Sequence, residues 1–205
     1  MRRLLLSLTV LALAAPAAYA ANENPTGFTA IDAQGQYRVE VTMGDHYGVS
    51  VDGPDAAGVG IHGNGHTLEL RQIAKNGWGG PHRLNATVHV TTPALTELNS
   101  SRGMELWANG LRADQFDIHA SMGTEMHLGG TCGALTVNAS MGAEIDAAGL
   151  DCASVQIDAS MGAEVRVHAH ESASAHASMG GEVRVSGRPP RQEHSAGLGG
   201  EVSFE

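Results

Sequence analysis

Six glutamates recur in the C-terminal half of the chain at nearly fixed spacing: Glu105, Glu125, Glu144, Glu164, Glu182 and Glu201. Each closes a variant of Ala-Ser-Met-Gly-x-Glu, and the copies begin at Ser100, Ala120, Ala139, Ala159, Ala177 and Ala196, with steps of 20, 19, 20, 18 and 19 residues. A repeat of about 20 residues is the mark of a solenoid, in which equivalent residues of successive coils stack into columns. Stacked carboxylates about 4.8 Å apart repel by about 0.9 kcal/mol even at the dielectric of water. A glutamate ladder therefore needs a partner. Arg166 and Arg184, two residues after Glu164 and Glu182, could supply compensating charge. Serines or backbone N–H groups at the neighbouring glycine could donate hydrogen bonds. Ca²⁺ is the hard cation that paired carboxylates favour, but the dense Asp/Asn/Gly loops of calcium sites are missing, so no cofactor is required.

A second column, Met122, Met141, Met161 and Met179, is continued by Leu198. Extending the alternation from Ala120 points these side chains inward, as flexible core filler. Stacked thioethers with nearby histidines would suit Cu(I), yet Leu198 fits the same column and argues for packing. His119 and His176 share an outward column with Asn138 and Asp158, of the kind that hydrogen-bonds along the stack or to water. His168 and His170 alternate on one strand without a His-x-x-x-His spacing. Trp107, beside Glu105, could stack on a sugar, and Trp78, in the Gly-rich stretch 74–83, is the best candidate for an exposed contact. No nucleophile elbow, phosphate loop or differentiated carboxylate pair is present, so the chain reads as having no catalytic residues.

The elements that place these columns are strands. After each motif glycine the pattern is Glu out, apolar in, variable out, apolar in, as in Glu164-Val165-Arg166-Val167. A second alternating run precedes most motifs, as in Leu135-x-Val137-x-Ala139. Like positions of successive coils then pair in parallel. The fold class is all-β, a parallel β-helix with coils of about 19 residues, right-handed by the default for parallel crossovers. Residues 26–98 carry weaker strands expected to cap the regular repeats of 99–205. Among them, Tyr37–Val41 and Tyr47–Val51 read as a pair of strands around Met43-Gly44-Asp45-His46, and Thr67–Leu70 follows a Gly-Asn-Gly turn. Cys132 and Cys152 each lie seven residues before a motif alanine, which stacks them in adjacent coils within disulfide range.

Residues 1–20 have the form of a signal peptide: Arg2 and Arg3, an apolar run over Leu4–Ala15, and Ala18-Tyr19-Ala20 as a cleavage site. Residues 21–205 then read as one exported domain with no transmembrane segment, placed in the periplasm or at the cell surface, where a disulfide is permitted. Without Arg2 and Arg3 the chain has 10 basic and 22 acidic residues, a net charge of −12. That balance disfavours nucleic acid and anionic membranes.

The order of the motifs resembles the head GIN domain family of autotransporter adhesins. Phe28-x-x-Ile31 opens the match, a Val-x-Val and Gly-Asp hairpin follows, and Val88-His89-Val90-Thr91-Thr92-Pro93-Ala94-Leu95-Thr96-Glu97-Leu98 leads into the repeats. Here Met takes the place of a small residue and Glu that of Asp. The resemblance implies a β-helix like that of pectin lyases without their catalytic residues, and an adhesive role. The combined expectation is a binding or adhesion module that presents a regular face, with the glutamate column, Trp107 and Trp78, to a glycan or cell-surface component. A polysaccharide-active enzyme and a cation-binding or assembly protein, self-associating through the last coil, are the alternatives.

Overall fold

The computed structural model describes residues 25–73 and 82–205. The expected signal peptide and Trp78 lie outside the described residues. Seven strands precede the long coils: β1 (Ala30–Gln34), β2 (Arg38–Met43), β3 (Gly48–Asp52), β4 (Val59–Gly63), β5 (Thr67–Gln72), β6 (Thr87–Thr92) and β7 (Glu97–Ser101). Then come β8 (Glu105–Ser121), β9 (Glu125–Ala139), β10 (Glu144–Ser160), β11 (Glu164–Ser178), β12 (Glu182–Ser186), β13 (Arg191–Gly197) and β14 (Glu201–Phe204). All of them join one 14-stranded sheet wound into a β-solenoid. The expected all-β, parallel stacking is therefore what the chain adopts.

Two rows of pairing run along the solenoid. In the first, Arg38, Glu105, Glu125, Glu144, Glu164, Glu182 and Glu201 stand in parallel register from β2 to β14. In the second, Asp32, Asn99, His119, Asn138, Asp158, His176 and Ser195 align from β1 to β13. The strands β8 to β11 run through both rows, with register shifts where the coil bends, as between Ala108 and Leu111. Alternation sends Leu106, Met126, Ile145, Val165 and Val183 inward, and all are fully buried.

At the other end the stacking order departs from the chain order. β1 pairs with both β5 and β7, and β2 with both β6 and β8. The first coil in sequence therefore lies between two later ones. β2 and β3 do not form the expected hairpin: β6 sits between them, parallel to β2 and antiparallel to β3. The alternating Thr87-Val88-His89-Val90 run explains the insertion, because Val88 and Val90 are buried among the apolar residues of both neighbours. β4 and β5 do form a hairpin, whose turn is fixed by the Asn64 side chain accepting the N–H groups of His66 and Thr67 at 3.1 and 2.8 Å.

The core narrows along the axis. The residue after each motif glycine points inward, and in register these are Met104, Thr124, Ala143, Ala163, Gly181 and Gly200. Each carbonyl from Met104 to Gly181 accepts the N–H of the glutamate one coil on, at 2.8–2.9 Å. A second inward column runs Phe116, Leu135, Val155 and Ala173. Both columns lose volume in the same direction, and at Gly181 and Gly200 an added Cβ would meet the backbone of the preceding coil at 2.6 and 2.4 Å.

The methionine column is the clear correction. Met122, Met141, Met161 and Met179 are 45–50% exposed, and Leu198 is 84% exposed. The alternation ends at the preceding serine because Met and Gly form a turn. Both have positive φ, 52° and 72° at Met141-Gly142, and the Ala143 N–H donates to the Ser140 carbonyl at 3.2 Å. Positive φ at both central residues is type I′ geometry, which favours Asn-Gly. The same turn faces solvent in each coil, and the Gly142 N–H donates to the Met161 carbonyl of the next one at 3.1 Å.

Cys132 and Cys152 are directly paired residues of β9 and β10, and they form a disulfide with Cα atoms 4.5 Å apart. It closes a loop over a sequence separation of 20, a length for which a cross-link contributes about 3 kcal/mol. The double variant Cys132→Ser/Cys152→Ser is expected to lose about that much stability in urea titration. At the corner, Met141→Asn is expected to raise stability by about 0.5–1 kcal/mol, and Met141→Ile to lower it, because a left-handed backbone penalises β-branched side chains most.

Candidate functional site

The first row carries the six glutamates expected from the sequence, all on one face. Their repulsion is met by guanidinium groups at Glu105, Glu144, Glu164 and Glu182. The Arg166 guanidinium bridges two coils, donating to Glu144 at 3.3 Å and to Glu164. Arg184 repeats the arrangement one coil on, donating to Glu164 at 2.6 Å and pairing with Glu182. Glu125 Oε1 lies 2.9 Å from His127 Nε2. Glu105 receives hydrogen bonds from Arg38, at 3.0 Å, and from Arg83. Burial pushes the Glu105 carboxyl up, but those guanidinium hydrogen bonds and charges outweigh it and hold the group below its ordinary value. Glu201 has no such partner among the described residues.

Trp107 belongs to the same face. Its neighbours along the row are β2 on one side and His127 on the other. The Arg38 guanidinium lies over the ring at 4.5 Å, and the His127 ring stacks on it at 5.2 Å. A sugar stacking on Trp107 would have to displace one of them. Among the described residues, no three His, Cys, Asp or Glu side chains converge as a metal would require.

The second row is different in kind. Its outer surface forms a shallow groove of about 630 Å³ whose lining includes Asn99, His119, Asn138 and Asp158, the serines Ser121 and Ser160, and the edge residues Met122 and Met161. No hydrogen bond or ion pair to another described residue engages the side chains of His119, Asn138 or Asp158. The groove begins at Asp32, which Arg71 clamps through both carboxylate oxygens at 2.8 and 2.7 Å. The Arg71 hydrogen bonds hold the Asp32 carboxyl below its ordinary value against the opposing effect of burial. Donors and acceptors thus stand in register along a face whose strands are otherwise satisfied. The sequence shows this row as an outward polar ladder. Beside it runs a serine column, Ser101, Ser121, Ser140 and Ser160, that lines the same groove.

Asp45, fully exposed beside His46, is also held below its ordinary value, but the two partly buried carboxylates, Glu105 and Asp32, set the acid behaviour. Each contributes stability that is complete above its ordinary value, 4.5 for Glu105 and 3.8 for Asp32, and that is lost as the pH falls through the lower folded-state value. The urea midpoint is expected to fall as the pH drops below about 4.5. Glu105→Gln should flatten that dependence and lower stability at pH 7 by about 1–2 kcal/mol.

No helix among the described residues is long and apolar enough to cross a membrane. The family described as "Putative auto-transporter adhesin, head GIN domain" matches residues 27–189. Among curated proteins, none matches. Among solved structures, the crystal structure of a protein described as a putative adhesin from Bacteroides fragilis aligns with a TM-score of 0.70 at 18% identity, over 89% of this chain and 94% of that one. A protein described as lipid-binding and another described as an adhesin, both from Parabacteroides distasonis, align with TM-scores of 0.47 at 14% and 15% identity, over 88% and 89% of this chain and 94% of each of theirs. At such identities the first likeness shows the fold alone, and the other two carry no argument. The family match spans most of the chain and both rows of the solenoid: the chain belongs to the head GIN domain family of auto-transporter adhesins.

Proposed function

We propose that the protein is an exported adhesion module that binds a repetitive surface polymer, a glycan chain, along the second-row groove and does not turn it over. The observation that carries this reading is the in-register set His119, Asn138 and Asp158, whose side chains make no described intramolecular hydrogen bond or ion pair while lining one groove. Carboxamide, carboxylate and imidazole groups at each step of about 4.8 Å match a polymer whose hydroxyls recur at a similar interval. The paired backbone already holds these positions in register, so binding orders side chains and not the chain that carries them. The glutamate face supports this reading by contrast, since its charges are largely matched by arginines and its one tryptophan is sandwiched. Catalysis would need two groups in differentiated environments, whereas His119, Asn138 and Asp158 differ in type but share the same open groove wall.

A glycan array and a whole-cell binding assay with residues 21–205 test the reading. Binding is expected, with no release of reducing ends. Asn138→Ala and Asp158→Ala should weaken it on the order of tenfold each, as loss of a hydrogen-bonding partner does, while Glu144→Gln leaves it unchanged. Blank results in both assays, or loss confined to Glu144→Gln, would overturn it.

A further inference from the structure

The exposed methionines are explained by neither packing nor turn preference. With roughly half of each side chain in water, they gain little from burial. Their backbones sit at φ of 48–55°, a region that costs an L-residue other than Gly, Asn or Asp about 1–2 kcal/mol. The position tolerates other residues, since Arg102 and Leu198 occupy it in the first and last copies with φ of 72° and 51°. Between them, four consecutive coils carry sulfur. Large apolar side chains held in solvent in a regular row call for a ligand.

We propose that Met122, Met141, Met161 and Met179 form a thioether ladder that binds a soft monovalent metal ion, Cu(I). Thioethers are soft donors that select Cu(I) over the hard cations carboxylates take. The hydrogen bonds from Gly123 to Met141, Gly142 to Met161 and Gly162 to Met179, at 3.1–3.2 Å, lock these corners coil to coil, which sets neighbouring methionines about 4.8 Å apart. On the scale of a zinc–sulfur bond, about 2.3 Å, two sulfurs about 4.6 Å apart can share one ion. The unbranched side chain bends to that separation through its rotatable bonds. The site lies at the edge of the polar groove, where Met122 and His119 line the same wall, and the imidazole offers a further ligand to an ion at that end. The glutamate ladder plays no part, being on the other row.

The test uses the full chain and Cu(I) itself, titrated under reducing conditions against a chromophoric Cu(I) chelator. The wild-type protein is expected to draw Cu(I) from the chelator. The quadruple variant Met122→Leu/Met141→Leu/Met161→Leu/Met179→Leu should do so at least about tenfold less well, given that losing even an outer-shell partner costs 10–100-fold. Leu198 already occupies this turn, so leucine is accommodated there, and circular dichroism checks that the variant keeps its strands. Leu198→Met should add a fifth rung and tighten binding. Bound Ag(I), a redox-inert substitute, should also shield the four methionines from sulfoxide formation by peroxide, read by mass spectrometry. Failure of the wild type to compete, equal binding by the quadruple variant, or unprotected methionines would each overturn the proposal. None of these outcomes bears on glycan binding, which is read separately.

Discussion

Parallel register sets each side chain beside its counterpart in the next coil, about 4.8 Å away, and the rest of the molecule follows from how that enforced neighbourhood is tolerated. Inward, it is tolerated by volume: the corner column shrinks from Met104 to Gly200 and the Phe116 column shrinks to Ala173. Outward, charge is the difficulty. Where Glu144, Glu164 and Glu182 stack, Arg166 and Arg184 each span two of the carboxylates. Exposed pairs of this kind are individually weak, but a guanidinium that serves two coils offsets the repulsion of the carboxylates it spans.

The same constraint explains what the sequence discloses and what it hides. A ladder of identical contacts is written as a repeat, so the coil length, the parallel pairing, the outward glutamates and the Cys132–Cys152 contact are all legible from spacing. The methionine side chains are not, because period-2 alternation holds only while the backbone stays extended. Once Met and Gly turn left-handed, the inward position passes to the residue after the glycine. Among the described residues, the seven with positive φ other than glycine mark where pattern reasoning stops applying. Threading of the early strands is hidden for another reason. β6 pairs with β2 and β3 through contacts distant in sequence, and its Val-x-Val pattern would serve equally between other neighbours.

In the proposed reading, function divides along the two rows. One is self-sufficient: glutamates, arginines, His127 and Trp107 complete one another and leave little unmet. The other is unfinished in the chemical sense, with polar side chains in register over a concave strip and sulfur along its edge. The motif draws the eye to Glu because it is charged and invariant among the six copies. In the column that varies, His119, Asn138 and Asp158 carry open hydrogen-bonding capacity, while Asn99 and His176 bond to Glu97 and Ser195. Variation in a repeat is where one coil differs from another, and so where a periodic scaffold gains a particular ligand.

The position of β1 and β2 between coils formed by later residues has a bearing on how the chain assembles during synthesis. These strands emerge first but have no neighbour until β5 and β6 arrive on one side and β7 and β8 on the other. Coils from β8 onward need only the coil before or after them. Assembly from the N-terminus is therefore blocked at the outset, and the regular coils, with their shorter loop closures, are the natural nucleus. The oldest part of the nascent chain is the last to be enclosed, leaving its strand edges open to foreign partners until then.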